Sequence, residues 1–325
     1  MPHAPTPDQI RQTTLESETM SVTILNLGCI TQDWRVRHAG ADLPIVLGYR
    51  AATDYLNNPA YLGAIVGRVA NRIGGAAFEL NGARHTVTAN APPHCLHGGD
   101  MGISKRIWEM DADETRAVEL RHTSPHGDQG FPGEAVFTTT ITLSGTTLTY
   151  DMRATVDRPT PINLAQHNYY NLMGRGTAHT HTLHIPANQI TERSDDGIPN
   201  GTYHATAGNR FDFTRPRAIS DADPAREGYD DNLVLSAPHT TLSAPNGLSL
   251  SLTTDQPGLQ LYSSMFLTEE HTPHAGQSHT PYSAICLEPQ HFPDALNKPG
   301  FAPIIATPGA PYHQRLTLEL SGASR

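Results

Sequence analysis

The sequence predicts an all-β protein with few short helices, on three observations. Glycine and proline are abundant, at 27 and 26 of 325 residues, so the chain turns often and its elements are short. Apolar residues recur at every second position in several segments, the period of a half-buried strand. Sustained 3.6-residue periodicity is scarce. Short helices are expected only near residues 8–16 and 221–227.

Along the chain, residues 1–19 read as an N-terminal extension or a first strand. Asn81-Gly82 sits between Phe78-Glu79-Leu80 and His85-Thr86-Val87. Asn-Gly suits a two-residue hairpin because both positions need positive φ. Phe137, Thr139, Ile141 and Leu143 point one way. Ser144-Gly145 then turns, and Leu148, Tyr150, Met152 and Ala154 resume the alternation. Those residues predict a long hairpin with one buried face. Asn246-Gly247 precedes Leu248, Leu250 and Leu252, and Leu316, Leu318 and Leu320 form a closing strand. The length alone suggests two domains of roughly 150 residues. No linker, repeat or low-complexity tract divides the chain, so a single β-rich domain over residues 1–325 is the better reading.

Charge and cysteine usage exclude several classes. The formal net charge is −10 and only 17% of residues are charged. No general attraction to nucleic acid or to an anionic membrane is expected. No run of 18 apolar residues suggests a membrane span. The start, Met1-Pro2-His3-Ala4-Pro5-Thr6-Pro7-Asp8, lacks the basic and apolar parts of a secretory signal. Cys29, Cys95 and Cys286 suggest neither a disulfide framework nor a zinc site, and a reducing cytoplasm is the simplest compartment. Eighteen histidines nearly match the 22 lysines and arginines. His179 and His181 would share one strand face, with His184 opposite, but no neighbouring Cys or carboxylate completes a ligand set. No metal is expected.

Polar residues and tight-turn glycines combine in several segments, where chemistry on a β scaffold usually sits. Tyr61-Leu62-Gly63-Ala64-Ile65-Val66-Gly67-Arg68-Val69-Ala70-Asn71-Arg72-Ile73 places two arginines in an apolar context. They read either as structural ion pairs or as a fork for ligand oxygens. In His94-Cys95-Leu96-His97-Gly98-Gly99 a histidine precedes two glycines, and reads as a cleft residue or a plain loop histidine. Residues 124–134 read as a dense turn. In Asn163-Leu164-Ala165-Gln166-His167-Asn168-Tyr169-Tyr170-Asn171-Leu172, polar groups fall on both faces of a strand. One face would line a wet cleft, unless the histidine is satisfied inside a hydrogen-bond network. Leu259 and Leu261 should face the core, leaving Gln260 and Tyr262 on the other side. Glu288 ends an apolar strand before Pro289, and a carboxylate there is costly unless paired or catalytic.

In this order the segments resemble the aldose 1-epimerase (galactose mutarotase) family. The resemblance rests on Gly-Arg-Val-Ala-Asn-Arg-Ile at 67–73, Leu-His-Gly-Gly at 96–99 and Gly-Phe-Pro-Gly at 130–133. It continues with residues 163–172, Pro-Gly-Leu-Gln-Leu-Tyr at 257–262 and Cys-Leu-Glu-Pro-Gln-His-Phe-Pro-Asp-Ala at 286–295. It implies a β-supersandwich and the interconversion of α and β anomers of free aldoses, without a cofactor. By motif position Glu288 resembles the general base, His167 the general acid, and His97 a second active-site histidine. Asn71, Arg72, Asn168, Tyr169, Asp230 and Gln260 match sugar-contacting positions. This chain has Asp230-Asp231-Asn232 where the family often has Asp-His-Asn, and Gln166-His167-Asn168-Tyr169-Tyr170 where it often has Asn-His-Ser-Tyr-Phe.

That chemistry opens a cyclic hemiacetal and recloses it on the other face. A carboxylate and an imidazolium on opposite sides of the sugar could remove the C1 hydroxyl proton and protonate the ring oxygen together. The expected partner is a monosaccharide, and the protein is expected to be a monomer or homodimer. Rival readings are a hexose-phosphate 1-epimerase, a non-catalytic sugar-binding module, and a glycoside hydrolase using Asp230 with Glu288.

Overall fold

The computed structural model describes residues 4–113 and 115–323. Met1, Pro2 and His3 of the N-terminal stretch lie outside them. Three antiparallel sheets dominate. A nine-stranded sheet is built around Ala135–Ser144, Thr147–Val156, Tyr312–Ser321 and Ser249–Thr254. In a six-stranded sheet Tyr169–Tyr170, Ile285–Gln290, Gly258–Tyr262, Asp230–Leu235, Ala187–Arg193 and Pro199–Ala205 are neighbours in that order. A four-stranded meander, Gln12–Glu16, Met20–Leu25, Thr31–His38 and Ala41–Pro44, completes the set.

One apolar cluster joins all three sheets. Leu148, Leu250 and Leu318 come from the first, Leu233, Leu259 and Leu287 from the second, and Val22 and Trp34 from the third. This is the β-supersandwich that the resemblance implies. Among the described residues no helix is long and apolar enough to cross a membrane.

The hairpins follow the alternation. Phe137, Thr139, Ile141 and Leu143 are buried, as are Leu148, Tyr150, Met152 and Ala154 across the turn. The turn residues are Gly145-Thr146, one place later than expected, because Ser144 still pairs with Thr147. Asn81 and Gly82 have φ of 52° and 77° between the paired Leu80 and Ala83, the two positive angles that hairpin requires.

Three local expectations are corrected. Residues 8–16 are not a helix: one 3₁₀ turn, Pro7–Gln9, leads into the strand Gln12–Glu16. Thr13 and Thr14 are β-branched and suit a pleated surface. Leu15 pairs with Val22, and the Thr14 and Thr23 hydroxyls are 3.0 Å apart. The first strand therefore begins within residues 1–19. Near 221–227 only a four-residue helix forms, Ile219–Ala222. Likewise His179 and His181 do not share a strand face. Ala178–Thr180 is a 3₁₀ turn, and the strand is only Thr182–His184. His181 Nε2 accepts the Leu172 N–H at 2.9 Å, a structural role.

Arg68 and Arg72 part company. Arg68 is buried, and its guanidinium donates to the carbonyls of Ser124, Pro125, Pro132 and Gly133 and to Ser124 Oγ, at 2.9–3.1 Å. Residues 124–134 are thus a cage for one cation. Burial lowers the Arg68 pKa to about 10, so it stays charged at neutral pH. Arg68→Met should cost about 3 kcal/mol, because the cage carbonyls lose their donor. Urea unfolding monitored by circular dichroism checks this; an unchanged midpoint would contradict it.

Candidate active site

The six-stranded sheet turns one face to the core and the other to a cleft. Leu259, Leu261 and Leu287 pack inward, so Gln260, Tyr262 and Glu288 face out, as the period of two demands. Gln260 lies opposite Glu288 in register, and Asp230 opposite Tyr262. The expectation that Glu288 ends its strand is off by two residues. Pairing runs on through Pro289 and Gln290, since proline's φ fits an extended chain. All six residues of Ile285–Gln290 are buried.

The cleft is small, with a volume of about 260 Å³. Drug-sized ligands typically occupy roughly 300–1,000 Å³, so the space fits a single small molecule. Asn71, Arg72, His97, His167, Tyr169, Asp230, Gln260 and Glu288 line it. Asn168 does not. It is fully buried behind the cleft, where its amide donates to Tyr170 Oη at 3.4 Å and its backbone N–H to Gln166 Oε1 at 2.8 Å. Alternation forces this: if His167 and Tyr169 face the cleft, Asn168 cannot.

His167 and Glu288 meet at the buried end. His167 Nε2 is 3.6 Å from Glu288 Oε1, beyond a hydrogen bond but within reach of a shared ligand. The two groups are side by side rather than across the cleft from one another, which corrects the expected opposed arrangement. The His167 ring lies between the rings of Tyr169, at 5.2 Å, and Tyr61, at 6.2 Å, both near parallel. Tyr169 is itself pinned, its hydroxyl donating to the Ala60 carbonyl at 2.9 Å.

Burial sets the charges. It pushes the Glu288 carboxyl well above the usual 4.5, and the nearby Asp230 adds to the rise. It also lowers His167 from 6.5 to about 4. Desolvation favours the form with a proton on the carboxyl and the imidazole neutral. The proximity of the two groups works the other way and favours the charged pair, which carries the same number of protons.

His97 is a donor. The Asn71 backbone N–H donates to its Nδ1 at 3.2 Å, so the neutral ring carries its proton on Nε2. Its pKa lies well below 6.5 through burial, with His167, Arg72 and Lys105 acting in the same direction. The following turn needs glycine: at Gly98, with φ of 85°, a Cβ would fall 1.9 Å from the Gly67 carbonyl oxygen.

At the other end Asp230 Oδ1 accepts from Gln260 Nε2 at 2.8 Å, and its Oδ2 is 3.9 Å from Arg72 Nη1. That loose contact leaves both charged groups able to bind hydroxyls. Tyr61, Phe266 and Glu270 also line the cleft; the last two carried no sequence signal, since 263–279 follows no period. Among the described residues His167, Cys286 and Glu288 are the one group with metal-ligand atoms within 4.8 Å of each other. Burial raises the Cys286 thiol pKa well above 9.0, which disfavours the thiolate a metal needs. No metal is assigned.

Fold and cleft together describe a β-sandwich with a buried carboxyl–imidazole pair at the closed end of a small cleft. The aldose 1-epimerase family model matches residues 11–319, and the chain belongs to that family. It is 33% identical to the galactose mutarotase of Mus musculus, over 95% of this chain and 93% of that one. It is 32% identical to the aldose 1-epimerase of Escherichia coli K12, over 86% and 85%. The structure of the GalM/aldose epimerase homologue from C. elegans matches with a TM-score of 0.92 at 27% identity, covering 97% of this chain and all of that one.

Proposed function

We propose that the protein is an aldose 1-epimerase that interconverts the α and β anomers of a free monosaccharide. The observation that carries this reading is the 3.6 Å contact of His167 Nε2 with Glu288 Oε1 at the closed end of a one-sugar cleft. The C1 hydroxyl and the ring oxygen are attached to the same carbon, so adjacent acid and base can reach both. Glu288 takes the hydroxyl proton as His167 gives its proton to the ring oxygen. The C1–ring oxygen bond breaks and a C1 carbonyl forms. Rotation about C1–C2 turns the other carbonyl face to the ring hydroxyl, and reclosure returns each proton. The pair passes between its charged and neutral forms without gaining or losing a proton overall. His97 Nε2–H donates to the oxygen whose charge develops. Arg72, Asp230, Gln260 and Asn71 hold the distal hydroxyls, while Tyr169 positions His167.

A free sugar is favoured over a sugar phosphate by charge. Arg72 is the one lysine or arginine among the described lining residues, which also include the acidic Asp230 and Glu270. A phosphate dianion needs more cations than that. The three cysteines are buried and free, which supports a reducing cytoplasm. Polarimetry on galactose, glucose and xylose, with glucose 6-phosphate and nitrophenyl glycosides in parallel, tests the reading. Accelerated mutarotation of the free sugars is expected. Preference for the phosphate, glycoside cleavage, or binding without acceleration would each replace it.

A further inference from the structure

We propose that residues 193–198, none of which lines the cleft, position both charged groups of its distal end, Asp230 and Arg72, and so set discrimination among sugars. The substrate class rests on the mutarotase reading above; the geometry does not.

The first arm runs to Asp230. Arg193 Nε is 3.0 Å from Asp231 Oδ1, and Asp231 Oδ2 accepts the Asp230 backbone N–H at 3.0 Å. Asp231 is only 6% exposed and follows Asp230, so it turns away from the cleft. A carboxylate that buried needs a cation, and Arg193 supplies it. The chain Arg193–Asp231–Asp230 therefore fixes the backbone from which Asp230 reaches the ligand. Asp231 stands where this sequence departs from the Asp-His-Asn pattern. A neutral imidazole there would bring no negative charge to the guanidinium, so the ion-paired strut belongs to this chain's own residues.

The second arm runs to Arg72. Four residues beyond Arg193, Gly197 lies against the Arg72 guanidinium with φ of 81°. A Cβ there would come 3.0 Å from Arg72 Cζ and 3.1 Å from Nε and Nη1. The turn is anchored on both sides. Asp196 Oδ1 accepts from Ser194 Oγ at 2.6 Å and from the Ile198 N–H at 3.2 Å, and its Oδ2 is 3.2 Å from His94 Nε2. His94 and His97 flank the short strand Cys95–Leu96, which pairs with Arg72–Ile73, so the turn is referenced to the reacting end of the cleft. Asp230 and Arg72 are 3.9 Å apart, too far to lock each other, so their placement depends on what backs them.

Initial rates for the full chain and for R193Q, R193K and G197A test this, using galactose, glucose and their 4-deoxy and 6-deoxy forms. R193Q should raise KM for the hydroxylated sugars about tenfold, the loss of one charged hydrogen bond, with kcat little changed. The penalty should shrink for the deoxy sugar lacking the hydroxyl that Asp230 and Arg72 bind. R193K should recover most of the affinity, and G197A should raise KM as R193Q does. An unchanged KM in R193Q, or an equal fall in kcat for every sugar, overturns the strut. If the parent chain does not accelerate mutarotation, the activity reading falls separately. The same variants are then scored by calorimetric galactose affinity, where an unchanged Kd in R193Q overturns the strut and a tenfold weaker one sustains it.

Discussion

Glu288→Gln is expected to lower kcat for anomer exchange by about a thousandfold, near the middle of the range for losing a general acid–base group. The amide keeps the volume of the side chain but cannot accept the C1 hydroxyl proton. The fold should survive. The Glu288 pKa is raised in the folded state, so its contribution to stability is present below the unfolded value near 4.5 and is lost as pH rises through the folded one. At neutral pH a buried carboxyl held this way is a liability, and the neutral amide should unfold at or above the parent temperature. A folded variant with near-parent turnover would remove Glu288 from the mechanism.

His167→Asn should cost a similar factor, since the ring oxygen then loses its proton donor. The parent enzyme's pH profile carries a second expectation. His167 takes up an extra proton only near pH 4, against 6.5 for an ordinary histidine. The acid limb of kcat/KM should therefore lie well below 6.5, and activity should hold as pH falls through that value. In His167→Asn that limb should disappear along with most of the rate. An acid limb at 6.5 in the parent would mean that another, more exposed histidine controls activity.

The strand framework is legible in the sequence wherever alternation is strict, as at Phe137–Leu143 and Leu316–Leu320. Alternation also places Gln260 and Tyr262 on the cleft face. The same rule, followed consistently, removes Asn168 from the cleft that motif position alone assigns it. Three features are not legible. The Thr13-Thr14 strand competes with a helix reading, and only its pairing with Thr23 and Val22 decides it. The two arginines of one motif serve unrelated purposes, because Arg68 is claimed by carbonyls about 60 residues away in sequence. The Arg193–Asp231 strut joins strands 38 residues apart, a distance no local pattern spans.

The mechanism depends on proton count. In the proposed mechanism a buried carboxyl and a buried imidazole, each disfavoured as an ion, exchange one proton through the substrate's two oxygens on C1. No other bond of the sugar should break. The most direct measurement is exchange NMR on galactose in D₂O, following the α and β C1 protons with the parent enzyme present. The expected result is exchange that rises in proportion to enzyme, with the C2 proton retained. Exchange at the buffer rate, or deuterium entering at C2, would contradict acid–base ring opening by Glu288 and His167.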